Sequence, residues 1–326
     1  MAAHKNRTKR GKNPELATKS LVKSPVLNPA VRRALGTSDD CRSHIALMTR
    51  TAPFMQTPDG AVIVDRGAVK AYYNETQIAK ITAKLLMIEK KTDNLLLKYV
   101  HFPFKNEQAR HYAAQGFARR LQVIRRCVYN VFRIIPLATI KIPPKDELYD
   151  AQINIQAFLA NVYGIIDNLA WVWVFERGLS DKIPKRHVGL GKENKQVRES
   201  LSAAFQSYLA SIDEWFGYLG EFRHALAHRI PVYIPPGMVR QSNVDAYNDL
   251  SKQMTDALNR MEGNEYERLS AEQNKLLIFQ PVIAHSTIET KAPYVFHPQM
   301  IADFLTVEAL GEKMLAELSN HRDKIS

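Results

Sequence analysis

Cysteine is nearly absent from this chain. Cys41 and Cys127 are the two found in 326 residues. Two cysteines cannot build a disulfide framework, and neither stands in a Cys-x-x-Cys pair of the kind zinc ribbons use. Such usage fits a reducing compartment. Long apolar runs are missing too. The most apolar stretch, Leu169 to Phe175, is seven residues long and is preceded by Asp167 and Asn168. A bilayer span needs about 20 apolar residues, so no membrane partner is expected. The basic N-terminus has no apolar segment behind it, unlike a secretory signal. A mitochondrial presequence is disfavoured by its prolines. The expected location is the cytoplasm.

Acidic residues are scarce in two places. Residues 1–38 hold nine lysines and arginines against Glu15 alone, and between 106 and 145 Glu107 is the sole acid. The net charge is +12, of which the first segment supplies +8 (nine cations less one anion). Residues 1 to 55, rich in Lys, Arg, Asn, Pro and Ser, read as a disordered basic arm. It suits either an electrostatic tether for nucleic acid or a solvated tail. No cofactor motif is present. Gly189-Leu190-Gly191-Lys192 lacks the first glycine of a P-loop and the Ser or Thr after its lysine.

What is present is a helical pattern. With 45% hydrophobic residues the chain can bury a sizeable core. Apolar residues recur every three or four positions from about Asn74. A second helix is predicted from about Asn106 to Ile135, with Phe117, Leu121, Ile124, Val128, Val131 and Ile135 as its apolar stripe. Arg119, Arg126 and Arg133, seven apart, share one face, which Arg120 and Arg125 broaden. That face suits a phosphate backbone or plain solvation.

After Pro143-Pro144 a long apolar helix is predicted from about Asp146 to Glu176. Ile153, Ala157, Ala160, Tyr163, Gly164 and Trp171 are expected in close packing. A basic loop follows, with Lys185 and Arg186 as candidate nucleic-acid contacts. Further helices are expected over about 195–209, 212–229, 243–262, 266–279 and from Pro298 to about Ser319. A capping box at Ser211 and Glu214 is expected to start the 212–229 helix. Short strands are expected at Ala61–Val64 and Pro281–Ala284. Trp171, Trp173 and Trp215 are expected in the core, His297 at a helix start and Cys127 as an inert thiol. The predicted fold class is all-α: an antiparallel helical bundle with extra flanking helices and one or two short strands. The expected divisions are the arm at 1–55, N-terminal helices at 56–145, a core bundle at 146–240 and C-terminal helices at 241–326.

One run carries the chemistry: Glu221-Phe222-Arg223-His224-Ala225-Leu226-Ala227-His228-Arg229, ended by Pro231. Arginine is a fixed cation with a donor fork suited to phosphate, and histidine exchanges protons near neutrality. Arg223 and His228, five apart, stand about 140° around a helix, so a site using both must lie between two helices or two subunits. His224 and His228 share a face. Three readings stay open. The i, i+4 histidines match zincin spacing, but Ala225 replaces the glutamate and no third ligand is evident, so no metal is expected. Alternatively, the basic side chains serve the helix C-terminus structurally. The third reading is a phosphodiester site.

The run Arg223-His224-Ala225-Leu226-Ala227-His228 resembles the Arg-polar-x3–4-His signature of HEPN domains, with His224 at the polar position. The resemblance spans about 146–236. It implies an antiparallel helical bundle and a metal-independent endoribonuclease without a cofactor, in a toxin or defence role. Two copies of the motif pair in a homodimer, and an acid or amide from an earlier helix, here Asp167 or Asn168, supports the site, with Glu221 a further candidate. His228 would take the 2′-hydroxyl proton and Arg223 would hold the phosphate oxygens. Many such domains are non-catalytic. The alternative is therefore a helical binding or scaffold protein docking RNA, DNA, an acidic partner or an antitoxin.

Overall fold

The computed structural model describes residues 55–56, 62–64, 72–285 and 293–322. Apart from Met55, the basic arm at 1–55 lies outside them. The protein is mostly helical with a few short strands. Helix α1 (Glu75–His101) starts on a reciprocal capping box between Asn74 and Gln77, which satisfies two otherwise orphan backbone donors. A short helix α2 (Glu107–His111), capped by Asn106, runs into a six-residue π segment (Tyr112–Phe117) and then α3 (Ala118–Ile134). Helix α4 spans Lys145–Glu176. By length and composition it could cross a membrane, yet its apolar residues Ile155, Phe158, Val162, Ile165, Leu169 and Trp173 fill the protein core.

The helix expected over 195–209 is broken into α5 (Lys195–Glu199) and α6 (Ala203–Ser211). The intervening serines bond both locally, Ser200 to the Val197 carbonyl and Ser202 as the N-cap of α6, and across the fold. Ser200 accepts from Trp173 Nε1 at 2.8 Å, and Ser202 donates to Glu317 at 2.7 Å. Helix α7 (Asp213–His228) follows, without the expected capping box. Ser211 is the last residue of α6, and its hydroxyl donates back to the Tyr208 carbonyl at 2.6 Å. Helices α8 (Val244–Asn259) and α9 (Gly263–Asn274) pack on one another. Helix α10 (Phe296–Arg322) packs on α1, α3 and α4.

The short strands are more numerous than expected. β1 (Met55–Gln56), β2 (Val62–Val64), β3 (Met238–Arg240) and β4 (Leu277–Ile278) form a sheet in that order. β2 runs parallel to β3, with Ile63 opposite Val239, and the other pairs are antiparallel. β5 (Val282–Ile283) pairs with β6 (Tyr294–Val295). Residues two or three long carry too little period to be read from sequence.

One apolar core runs from Tyr73 to Leu318, so the three predicted helical divisions share it. His297 is fully buried within it, in the first turn of α10. Its Nε2 donates to the Ile135 carbonyl at 2.7 Å, and Tyr73 lies 3.3 Å from its Nδ1. It therefore ties α10 to the end of α3 rather than making only a local contact. Trp173 and Trp215 are buried, whereas Trp171 is half-buried and stacks on Phe175 at 5.0 Å. On α4 the face expected in close packing is only partly covered: Ala157, Tyr163 and Trp171 pack half-buried against the core and Gly164 meets Arg120, but two positions point outward. Ile153 is 60% exposed and Ala160 is exposed. A broad, nearly all-round apolar pattern leaves the buried side of such a helix undetermined until its neighbours are in place.

Candidate functional site

Helix α7 buries Trp215, Leu219, Phe222 and Ala225, which repeat at helical spacing. Asp213 and Glu214 in its first turn complement the helix dipole. Asp213 also binds the Arg198 guanidinium through both carboxylate oxygens. The register of the buried stripe puts Arg223 at one edge, reaching α4, and His224 and His228 on the exposed outer side.

Arg223 lies over the Tyr163 ring, 5.5 Å from guanidinium carbon to centroid. Such stacking leaves the guanidinium edge free to bind an anion. One turn along α4 is Asp167. Burial pushes its carboxyl up to about 6, against the pull of Arg223 and then of Arg120. Tyr163 is itself raised, first by burial and then by the Asp167 charge, with Arg223 opposing.

Arg120 completes the cluster from α3. Its Nε donates to Asn168 Oδ1 at 3.1 Å and its Nη1 to Asn161 Oδ1 at 3.0 Å. It is half-buried, so it does not broaden the outward arginine face. Arg125 is drawn aside as well, pairing with Asp93 at 3.1 Å. Two close approaches shape the cluster. A Cβ on Gly164 would lie 2.6 Å from the Arg120 guanidinium carbon, and one on Gly116 would lie 2.8 Å from the Asn168 side chain. Gly116 belongs to the π segment, a local departure from α geometry of a kind that often accompanies functional sites.

The structure thus gathers Arg223, Asp167, Asn168, Tyr163 and Arg120 between α3, α4 and α7. It does not bring His228 to Arg223 within one chain. His224 and His228 instead neighbour each other, ring centroids 6.2 Å apart. Glu221 also stands apart from the cluster: Arg229 Nη2 donates to its carbonyl at 3.0 Å and its carboxylate at 3.1 Å. Arg119, Arg126 and Arg133 are exposed along α3. Lys185 and Arg186 are exposed on a short 3-10 turn, where Arg186 donates to the His187 ring at 3.1 Å.

No family model, curated protein or solved structure matches this chain. What its site can do must follow from the side chains themselves. Two guanidiniums flanking one half-buried carboxyl can hold a phosphate and gain strength when that carboxyl is protonated. Two exposed imidazoles on the next face can exchange protons. Among the described residues no three His, Cys, Asp or Glu side chains converge as a metal site would require.

The one residue of this cluster that sequence reasoning misassigned is Arg120, counted there with the outward stripe. Its signal is on α4: Asn161, Gly164 and Asn168, at i, i+3 and i+7, make a polar face with a gap in the middle, shaped to receive a long side chain.

Proposed function

We propose that this protein binds RNA at the Arg223–Asp167–Arg120 cluster and cleaves it as a metal-independent endoribonuclease in the cytoplasm. The observation that carries the reading is the Arg223 guanidinium, stacked on Tyr163 and facing the half-buried Asp167 beside Arg120. Arg223 binds the non-bridging oxygens, where charge grows as the reaction proceeds. A fixed donor aimed at such charge is commonly worth about 3–4 kcal/mol. Imidazole ordinarily titrates near about 6.5, suited to general base work. His228 takes the proton from the ribose 2′-hydroxyl, and O2′ bonds to phosphorus. The bond from phosphorus to O5′ breaks, and a second imidazole gives O5′ its proton. Products carry a 2′,3′-cyclic phosphate and a 5′-hydroxyl.

Because Arg223 and His228 diverge around α7, this reading requires a second copy of the chain to bring an imidazole opposite Arg223. The active species is a homodimer. The test is incubation of purified protein with mixed RNA and with the matching deoxy strands, with and without EDTA. Cleavage of RNA alone, unaffected by EDTA and lost in His228→Ala and Arg223→Ala at unchanged melting temperature, supports the reading. Cleavage of the deoxy strand, or full retention in both variants, overturns it.

A second reading, a non-catalytic nucleic-acid binding protein, is favoured by one observation. Arg119, Arg126 and Arg133 stand exposed in a row, and none makes an ion pair among the described residues. In that case binding falls steeply with salt, and replacing the three arginines matters more than replacing His228.

A further inference from the structure

A groove of about 540 Å³ opens on another part of the protein, between α1, α6 and α10, sharing no lining residue with the Arg223 cluster. Its size lies within the roughly 300–1,000 Å³ usual for small-molecule sites. Met87, Ile212, Leu305 and Ala309 make its walls apolar. Met87 is 44% exposed, a large and adaptable apolar side chain left facing water.

Its charges are unbalanced. Lys84, Lys91 and Lys313 line it against Glu308 as the sole carboxylate. Lys91 is committed to Glu308 at 2.6 Å. Lys313 is held over the Tyr208 ring, its ammonium 4.7 Å from the centroid. Lys84 makes no ion pair among the described residues. Lys84 and Lys91 are seven apart on α1, so both rise from the same side of the groove. Lysine stems lie along apolar surface while their heads stay in water. The result is a greasy trough with two cations at its rim, Lys84 and Lys313, that no carboxylate pairs among the described residues.

We propose that this groove binds a small amphipathic anion, an alkyl carboxylate whose chain lies on Met87, Ile212 and Leu305 and whose head group meets Lys84 and Lys313. An apolar ligand alone would leave both ammoniums without an anionic partner, and a cationic amphiphile would meet repulsion from them. The groove takes one short chain, not a lipid surface.

The probe is dodecanoate, titrated calorimetrically into the full chain below its micellar concentration, with dodecyltrimethylammonium as the opposite-charge control. Saturable one-to-one binding of dodecanoate, at least tenfold tighter than the control, is expected. The double substitution Lys84→Glu with Lys313→Glu should weaken dodecanoate at least tenfold, and Met87→Asp, at an exposed position, should do the same through the wall. Circular dichroism melts check that both variants fold. Equal affinity for the two head groups, no saturable binding, or unchanged affinity in folded variants overturns the proposal.

Discussion

Arg120 lies directly across Gly164: a methyl group on Gly164 would sit 2.6 Å from the Arg120 guanidinium carbon. The glycine is an opening in α4 through which α3 delivers a cation to Asn161 and Asn168. Gly164→Ala should push Arg120 out and break both hydrogen bonds. Alanine favours a helix over glycine by about 1 kcal/mol, and two lost hydrogen bonds cost a similar amount. The melting temperature should therefore stay within a few degrees, while affinity for a short RNA falls several-fold. A large drop in melting temperature with RNA affinity intact would show that Arg120 serves packing alone.

Asp167 should make RNA binding pH-dependent. Its carboxyl titrates at about 6, raised by burial against the attraction of Arg223 and Arg120. Above that value the carboxylate offsets the guanidiniums, and below it one unit of positive charge is released toward the ligand. Asp167→Asn should bind RNA more tightly than wild type at pH 7.5 and match it near pH 5. Fluorescence anisotropy at constant salt reads the difference. Identical curves for the two proteins would place Asp167 outside the binding surface.

Two buried groups should give opposite slopes of stability against pH. Asp303 is fully buried, accepting from Trp215 Nε1 at 2.9 Å and Gln299 Nε2 at 2.8 Å, with Tyr218 at 3.3 Å. Burial raises its carboxyl to about 7, against those three hydrogen bonds. Tyr294 packs on Tyr218 nearby. The unfolded value is near about 3.9, so its favourable contribution is complete below about 4 and is lost as pH rises to 7. His297 is lowered by burial to about 3, the Ile135 carbonyl opposing. Its unfolded value is near about 6.5, so its contribution is complete above 6.5 and is lost as pH falls toward 3. Asp303→Asn keeps an acceptor for Trp215 and Gln299 and offers a donor to Tyr218. The variant should be more stable than wild type at pH 7.5 and should lose stability on acidification to pH 4 more steeply. Urea midpoints across that range check it, and parallel curves would refute it.

The outward position of Ile153 on α4 is directly testable. Ile153 is 60% exposed, while Ile155, two residues on, is 2% exposed. Ile153→Lys should change stability by less than about 0.5 kcal/mol. Ile155→Ala should cost about 2–5 kcal/mol through lost burial and the cavity left behind. Comparable losses at both positions would mean that Ile153 is covered.

The helices of this protein, and the side of α3 and α7 that each buries, are written in local periodicity, because a clear 3.6-residue stripe fixes its own buried side. The exposed Arg223, His224 and His228 follow from the same stripe on α7. Local sequence did not fix features that depend on partners distant in the chain. Ser200, at the end of α5, accepts from Trp173, and Ser202, the N-cap of α6, donates to Glu317. Arg120 turns inward because Gly164 leaves room and two asparagines of α4 accept from it. β2 pairs with a strand far along the chain. Composition and period determined a mostly helical protein with a net positive charge and an Arg–His helix end. Tertiary packing alone decided which charges meet, because a guanidinium reaching from α3 chooses its carboxyl and amides by proximity in space, which no spacing along the sequence encodes.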